Sequence, residues 1–278
     1  MTRKIAFFDA KPYDIKSFTE MNKDFGFDIA YFETHLNAQT ASLSGDFDAV
    51  CAFVNDTIDK AVIDEIIKHG VKLIALRCAG YNNVDFKAAY KKIHIARVPA
   101  YSPYAVAEHA AALMFSLNRK THRAFFRTRD GNFSLNGLLG FDMHGKTAGV
   151  IGTGKIGKCL IAILKGVGMK LLAYDPFPDE AFAADAGVQY VSLDEIYQQA
   201  DIISLHCPLN KDTEYMINAQ AISRMKNGVM IINTGRGKLI HTQALIDGLK
   251  SGKIGAAGLD VYEEESEYFF EDKSAQMI

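Results

Sequence analysis

Net charge is almost absent from this sequence: 31 Lys and Arg face 33 Asp and Glu, a formal charge of −2. That balance argues against a general nucleic-acid or acidic-membrane binder, which needs a net positive field. Cysteine is scarce. Cys51, Cys78, Cys159 and Cys207 lie far apart, with no pair at metal-ligand or redox-motif spacing, so they read as reduced core residues. Long apolar runs are missing as well. The stretch from Val71 to Leu76 already contains Lys72, and such runs fall far short of the about 20 residues of a membrane helix. Met1-Thr2-Arg3-Lys4-Ile5 leads directly into a strand-like run without a signal-peptide pattern, which makes the cytoplasm the expected compartment. No low-complexity tract or short repeat interrupts the chain. What is present, 49% hydrophobic and 23% charged residues over 278 positions, is an ordinary globular composition with enough length for two domains.

Short β-branched and aromatic runs alternate with segments of helical periodicity, the pattern of parallel strands joined by helical crossovers. The first series places strands at 4–8, 28–32, 49–54, 72–77 and 94–98, with helices at 13–25, 58–69 and 84–91 between them. It ends near Pro99-Ala100-Tyr101-Ser102-Pro103, where two prolines disfavour helix before each ring. A domain boundary is expected there, giving residues 1–101 and 102–278. Ser102 and Pro103 then supply an N-cap and an N1 proline for a long Ala-rich helix, 104–119, long enough to cross between domains. Arg119, Arg123 and Arg127 recur every four residues, which would align them on one solvated or interface stripe. A second series follows, with strands at 147–151, 170–175, 201–205, 229–233 and 254–259 and a helix at 155–168. The fold class expected from this pattern is α/β, with two doubly wound parallel-sheet domains.

Three strand ends carry the chemistry. Gly152-Thr153-Gly154-Lys155-Ile156-Gly157 follows an apolar strand and opens a helix, the context the dinucleotide fingerprint requires. The first glycine allows the tight turn, the second the approach of a pyrophosphate, and the third close helix–strand packing. The helix N-terminus offers unpaired N–H groups to phosphate. Asp175, eighteen residues beyond Gly157 at the end of the next strand, supplies a carboxylate for the adenosine ribose hydroxyls. Such a carboxylate repels a 2′-phosphate and no Arg follows it, so the reading favours NAD over NADP. Asn233-Thr234-Gly235-Arg236-Gly237 sets a guanidinium past another strand end, where ligands bind in doubly wound sheets and where Arg can grip a carboxylate in a bidentate manner. Arg236 taken alone fits a site and a surface turn equally. Gly258-Leu259-Asp260-Val261-Tyr262-Glu263-Glu264-Glu265 adds carboxylates at a third strand end, and three adjacent glutamates taken alone read as a solvated loop.

These motifs, in this order and at these separations, resemble the D-isomer-specific 2-hydroxyacid dehydrogenases. Arg77-Cys78-Ala79-Gly80-Tyr81-Asn82-Asn83-Val84-Asp85, Val98-Pro99-Ala100-Tyr101-Ser102-Pro103 and Arg127-Thr128-Arg129-Asp130 are most similar to the fermentative bacterial D-lactate dehydrogenases within that family. The resemblance spans essentially the whole chain. It implies a flavodoxin-like substrate domain and a Rossmann NAD-binding domain, and reversible hydride transfer between NADH and pyruvate giving D-lactate. By resemblance Arg236 holds the substrate carboxylate and polarises the ketone, the backbone of Ala79 and Gly80 contacts the same carboxylate, and Tyr101 borders the substrate pocket. Asp260 approaches the nicotinamide, and Gly152, Gly154, Lys155, Ile156, Gly157, Asp175, Cys207, Pro208, Thr213, Thr234 and Gly235 line the rest of the cofactor. Glu265 matches the glutamate that raises the pKa of the family's catalytic histidine. No metal is implied, and neither a nucleic acid nor a membrane is an expected partner. The family implies a dimer or tetramer, with the Ala-rich helix as the expected two-fold interface.

One departure accompanies the resemblance. The family histidine follows this glutamate at a distance the sequence does not reach, since Ile278 comes thirteen residues after Glu265. None of His35, His69, His94, His109, His122, His144, His206 and His241 stands at the matching position, and His206, near the cofactor by similarity, reads as a positioning or packing residue. The expectation is a chain shortened at its C-terminus, with both domains incomplete there. Loss of a general acid costs about 10²–10⁴ in rate. The competing readings are a catalytically impaired NAD-binding module and a dehydrogenase for another small 2-hydroxy acid.

Overall fold

The computed structural model describes residues 2–263, and the chain divides after Tyr101 into two units. The first holds β1 (Lys4–Phe7), β2 (Asp28–Tyr31), β3 (Ala49–Ala52), β4 (Leu73–Leu76) and β5 (His94–Arg97) in the order β2-β1-β3-β4-β5. All neighbours are parallel. Helices α1 (Pro12–Asn22), α2 (Lys60–Lys68) and α3 (Phe86–Ala89) belong to the same unit. The start of α2 is set by Asp59, whose side chain accepts from the Val62 N–H, and its buried face is Val62, Ile63 and Ile66. That stripe joins Ala6, Phe8, Val50 and Ile74 in one core, each large aliphatic side chain contributing about 1.5–3 kcal/mol by leaving water. The helices expected from Ile58 and Val84 begin two residues later, because these two residues pair with each other in a parallel bridge.

The second unit opens with α4 (Pro103–Arg119) and α5 (Thr121–Arg129), followed by β6 (Thr147–Ile151), α6 (Lys155–Gly166) and β7 (Lys170–Tyr174). Then come α7 (Glu180–Ala186), β8 (Gln189–Tyr190), α8 (Leu193–Gln199), β9 (Ile202–Leu205), α9 (Ala219–Arg224), β10 (Val229–Asn233), α10 (Thr242–Lys250) and β11 (Ile254–Leu259). The sheet order is β11-β10-β9-β6-β7-β8, parallel throughout. Strands β9 and β10 are buried along their whole length, as in a sheet covered on both faces. The order reverses between β6 and β9, and that switch point is where doubly wound sheets open a ligand crevice at their carboxyl ends.

Helix α4 buries one of its faces. Ala107, Ala110, Ala111 and Met114 of α4 are buried in a single core with Leu160, Ile161 and Leu164 of α6. One face of the Ala-rich helix is therefore spent inside the second unit, while Tyr104, Glu108, Ala112 and Phe115 stay exposed on another, which leaves a face for the expected two-fold interface. Pro103 does stand at N1 and Ser102 at the N-cap, although the Ser102 side chain makes no capping bond. The arginine stripe is interrupted: Lys120 adopts φ +50°, ψ +36°, a left-handed conformation that cannot continue a helix. Arg119 thus closes α4, whereas Arg123 and Arg127 belong to α5.

Candidate active site

The glycine loop closes onto the switch point of the second sheet. Gly152 follows β6 at φ +94°, and a Cβ there would sit 2.5 Å from the Cys207 nitrogen and 2.7 Å from the His206 carbonyl oxygen. A Cβ at Gly157 would lie 2.1 Å from the Gly152 oxygen, so the start of α6 is pressed against the loop. Gly154 is different. A Cβ there would meet no atom within 4 Å, and as N-cap of α6 it faces open space beside the first-turn N–H groups of Lys155, Ile156 and Gly157, which lack intrahelical acceptors. Ile156 packs partly into the core, and Lys155 is exposed.

Asp175 closes the adenosine side. Its Oδ2 accepts from the Thr153 N–H at 2.7 Å and the Thr153 hydroxyl at 3.1 Å, and its Oδ1 accepts from the Phe177 N–H at 2.9 Å. Across the switch point, His206 and Cys207 follow β9. Burial pushes the His206 pKa down to about 4, and its Nε2 lies 2.8 Å from Ser204 Oγ; this imidazole is neutral at physiological pH. Burial pushes the Cys207 thiol up to about 11, which keeps it protonated. Pro208 and Thr213 share one turn, the Thr213 hydroxyl donating to the Pro208 carbonyl at 2.7 Å.

The Thr234–Gly235–Arg236 turn is stapled by Asn233, a residue to which the sequence assigned no role. Asn233 is buried, its Oδ1 accepts from the Gly235 N–H at 3.0 Å, and its Nδ2 donates to the Arg236 carbonyl at 2.9 Å. The turn thereby leaves the Arg236 guanidinium exposed, with Nη1 donating to the neighbouring Gly235 carbonyl at 2.8 Å. The Asp260 N–H binds the Asn233 carbonyl at 3.0 Å, which ties the third strand end to the second. Asp260 Oδ1 also lies 3.3 Å from His109 Nε2 on α4, a partner that spans 151 positions of sequence and left no local signal. Glu263 is not part of a solvated loop: it accepts from the Tyr215 hydroxyl at 2.6 Å and from the Thr242 N–H at 2.9 Å. Burial raises its pKa, but bonds from Thr242 and Tyr215 outweigh that and hold it below the usual carboxylate range. Glu264 and Glu265 lie outside the described residues.

Ala79, Gly80 and Tyr101 belong to the first unit. Ala79 and Gly80 sit in the bend after β4, where the Arg97 guanidinium donates to the Ala79 carbonyl at 2.8 Å. Among the described residues the N–H groups of Ala79 and Gly80 have no partner, so the bend presents donors. Tyr101 is exposed. The bend is anchored by Arg77, quoted above only as part of a motif. Its guanidinium is nearly buried, donates to the Phe8 and Asp9 carbonyls at 3.0 and 2.8 Å, and lies 4.6 Å and 4.7 Å from the Phe7 and Phe53 ring centres.

Two observations fit a dinucleotide in the second unit: the open cradle at Gly154, and the Thr234 hydroxyl oxygen, buried without a hydrogen-bond partner among the described residues at the head of the Arg236 turn. Comparison with known proteins agrees. Residues 111–274 match the family described as D-isomer specific 2-hydroxyacid dehydrogenase, NAD binding domain. The chain is 54% identical to a D-lactate dehydrogenase of Escherichia coli K12, over 99% of its own length and 84% of that protein. It is 48% identical to D-lactate dehydrogenase kk1H of Curvularia clavata, over 99% and 80%. Among solved structures, apo D-lactate dehydrogenase from E. coli superposes with a TM-score of 0.89, covering 94% of this chain and 82% of that one. A Lactobacillus jensenii D-lactate dehydrogenase with NAD+ gives 0.81 at 35% identity, covering 99% and 84%. No helix among the described residues is long and apolar enough to cross a membrane.

Proposed function

The chain belongs to the D-isomer-specific 2-hydroxyacid dehydrogenases, and from that premise we propose that it interconverts pyruvate and D-lactate with NADH and NAD. The observation that carries this reading is the Arg236 turn. An exposed guanidinium, held past a strand end by buried Asn233, stands in the same unit as the open glycine cradle and is suited to a 2-keto acid carboxylate.

In this reading residues 1–101 bind substrate and residues 102–278 bind cofactor. The first-turn N–H groups after Gly154 bind the pyrophosphate, Lys155 and Ile156 flank it, and Asp175 takes a ribose hydroxyl. Gly152 and Gly157 shape the loop, Cys207, Pro208 and Thr213 form the wall, and Thr234, Gly235 and Asp260 line the nicotinamide end. The chemistry supplied by NADH when bound is hydride donation to the substrate carbonyl carbon. Arg236 grips the substrate carboxylate and polarises the ketone, a charge-assisted pairing that Lys cannot reproduce in bidentate form. The free N–H groups of Ala79 and Gly80 add donors to the same carboxylate, Tyr101 borders the side chain, and Glu265 is the partner of a proton-carrying imidazole.

The chain is also expected to form a homo-oligomer, supported by the apolar side chains exposed on α5 and the segment after it. The deciding experiment is NADH fluorescence titration together with pyruvate-dependent NADH oxidation and chiral analysis of the product. D-lactate is the expected product; L-lactate, or turnover only with larger 2-keto acids, overturns the assignment. Saturable NADH binding with no turnover at all favours the NAD-binding module instead.

A further inference from the structure

Asp175 is held by more than the backbone. The Tyr190 hydroxyl on β8 lies 2.8 Å from Thr153 Oγ1, and Thr153 Oγ1 lies 3.1 Å from Asp175 Oδ2. An ionised carboxylate only accepts, and a threonine hydroxyl has one proton to give. The direction of the chain is therefore fixed: Tyr190 donates to Thr153, and Thr153 donates to Asp175. Because the Thr153 N–H also binds Oδ2, at 2.7 Å, both lone pairs of that oxygen are taken. The Phe177 N–H takes one lone pair of Oδ1, at 2.9 Å. One acceptor position remains on the carboxylate, on Oδ1.

The surroundings sharpen this. Thr153 is buried, so its hydroxyl does not exchange partners with water, and Tyr190 is fixed by pairing between β8 and β7, with Ala173 opposite it. The ammonium group of Lys158, on α6, is committed to Asp179 and lies 4.9 Å from the Phe182 ring centre. It makes no hydrogen bond to Asp175 among the described residues and so fills none of that carboxylate's acceptor positions, although the two charges interact through space.

We propose that Thr153 and Tyr190 are positioning residues for cofactor selectivity: their hydroxyl relay fills Oδ2, leaving a single Oδ1 acceptor for one ribose hydroxyl and a rigid negative charge facing a 2′-phosphate. The inference rests on the dinucleotide reading of this unit and adds two side chains that the glycine fingerprint does not specify. Selectivity for NADH over NADPH here depends on how firmly the carboxylate is held as well as on its presence.

The test is fluorescence titration of the full chain with NADH and with NADPH, for the unaltered protein, Thr153→Val, Thr153→Ser, Tyr190→Phe and the Thr153→Val/Tyr190→Phe double variant, with thermal melts alongside. Thr153→Val keeps the backbone bond to Asp175 and the side-chain shape but removes the hydroxyl. Loss of a hydrogen bond to a charged group predicts an NADH Kd raised about tenfold in Thr153→Val, and about threefold in Tyr190→Phe, which weakens the bond indirectly. The NADPH Kd stays level or falls, Thr153→Ser restores the unaltered values, and the double variant matches Thr153→Val because the two groups act in series. Parallel loss of both cofactors, additive effects, or an unchanged NADH-to-NADPH ratio in variants that melt normally overturns the proposal. Absence of saturable NADH binding by the unaltered chain overturns the dinucleotide reading itself, and is told apart by that control.

Discussion

His206 is the residue whose protonation separates folded from unfolded chain most clearly. Burial lowers its pKa from 6.5 to about 4, so between those values the unfolded chain binds a proton that the native state refuses. Its contribution to stability is complete above pH 6.5 and is lost as the pH falls toward 4, to a total of about 3 kcal/mol. Urea unfolding at pH 7.5 and pH 5 is expected to show this decline in the unaltered chain and a flatter one in His206→Gln, which retains a polar partner for Ser204. Equal slopes in both proteins contradict the assignment. At this scale the sequence was informative about position: Asp175 and Arg236 were expected past strand ends, and they follow β7 and β10. The roles of Asn233, Arg77 and His109 were not legible, because what distinguishes each is a partner. Asn233 is known by its two bonds across a turn, and His109 by a carboxylate 3.3 Å away on another element.

Three glycines in one loop respond to the same substitution in opposite ways, because each borders a different element. Gly152→Ala and Gly157→Ala drive a Cβ into backbone atoms at 2.5 Å and 2.1 Å, and at Gly152 the φ of +94° adds strain. Both are expected to lower the melting temperature sharply or prevent folding. Gly154→Ala meets nothing within 4 Å, so its melting temperature stays within a few degrees while NADH binding falls at least tenfold, since the methyl group occupies the approach to the helix N-terminus. Differential scanning calorimetry and NADH titration of the three variants separate these effects; a Gly154→Ala protein that binds NADH normally removes the cradle from the site. Element periodicity made nearly every strand of both sheets legible, because central parallel strands are continuous apolar runs bounded by glycine and charge. The two-residue strand β8 escaped, being too short to show a period, although it carries Tyr190. The break between α4 and α5 also escaped, since a lysine in left-handed conformation carries no local signal. That break is held from outside by Asn118, whose side chain exchanges bonds of 2.8 Å with both the N–H and the carbonyl of Phe141.

Over the whole molecule, the order and separation of three strand-end motifs made the family legible, whereas composition says little about the assembly surface. An Ala-rich helix offers a shallow face to any partner of the right shape, and composition alone does not say whether that partner is α6 or another copy. One face of α4 is filled by Leu160, Ile161 and Leu164 and another still exposes Tyr104 and Phe115, while a denser run of exposed apolar side chains lies on α5 and beyond it: Phe125, Phe126, Phe133, Leu135 and Leu139, the last two 82% and 87% exposed. Soluble monomers seldom leave so many large apolar side chains clustered in one stretch of chain, and Arg123, Arg127 and Arg129 supply the charged rim typical of a protein interface. A second copy of the chain is the occupant the oligomeric reading calls for. Sedimentation velocity of the unaltered protein is expected to give a dimer or larger species, and Leu135→Glu/Leu139→Glu to shift it to monomer with its melting profile otherwise retained, because neither side chain contributes to a core. Monomeric unaltered protein at micromolar concentration, or an unchanged assembly in the double variant, removes this segment as the interface.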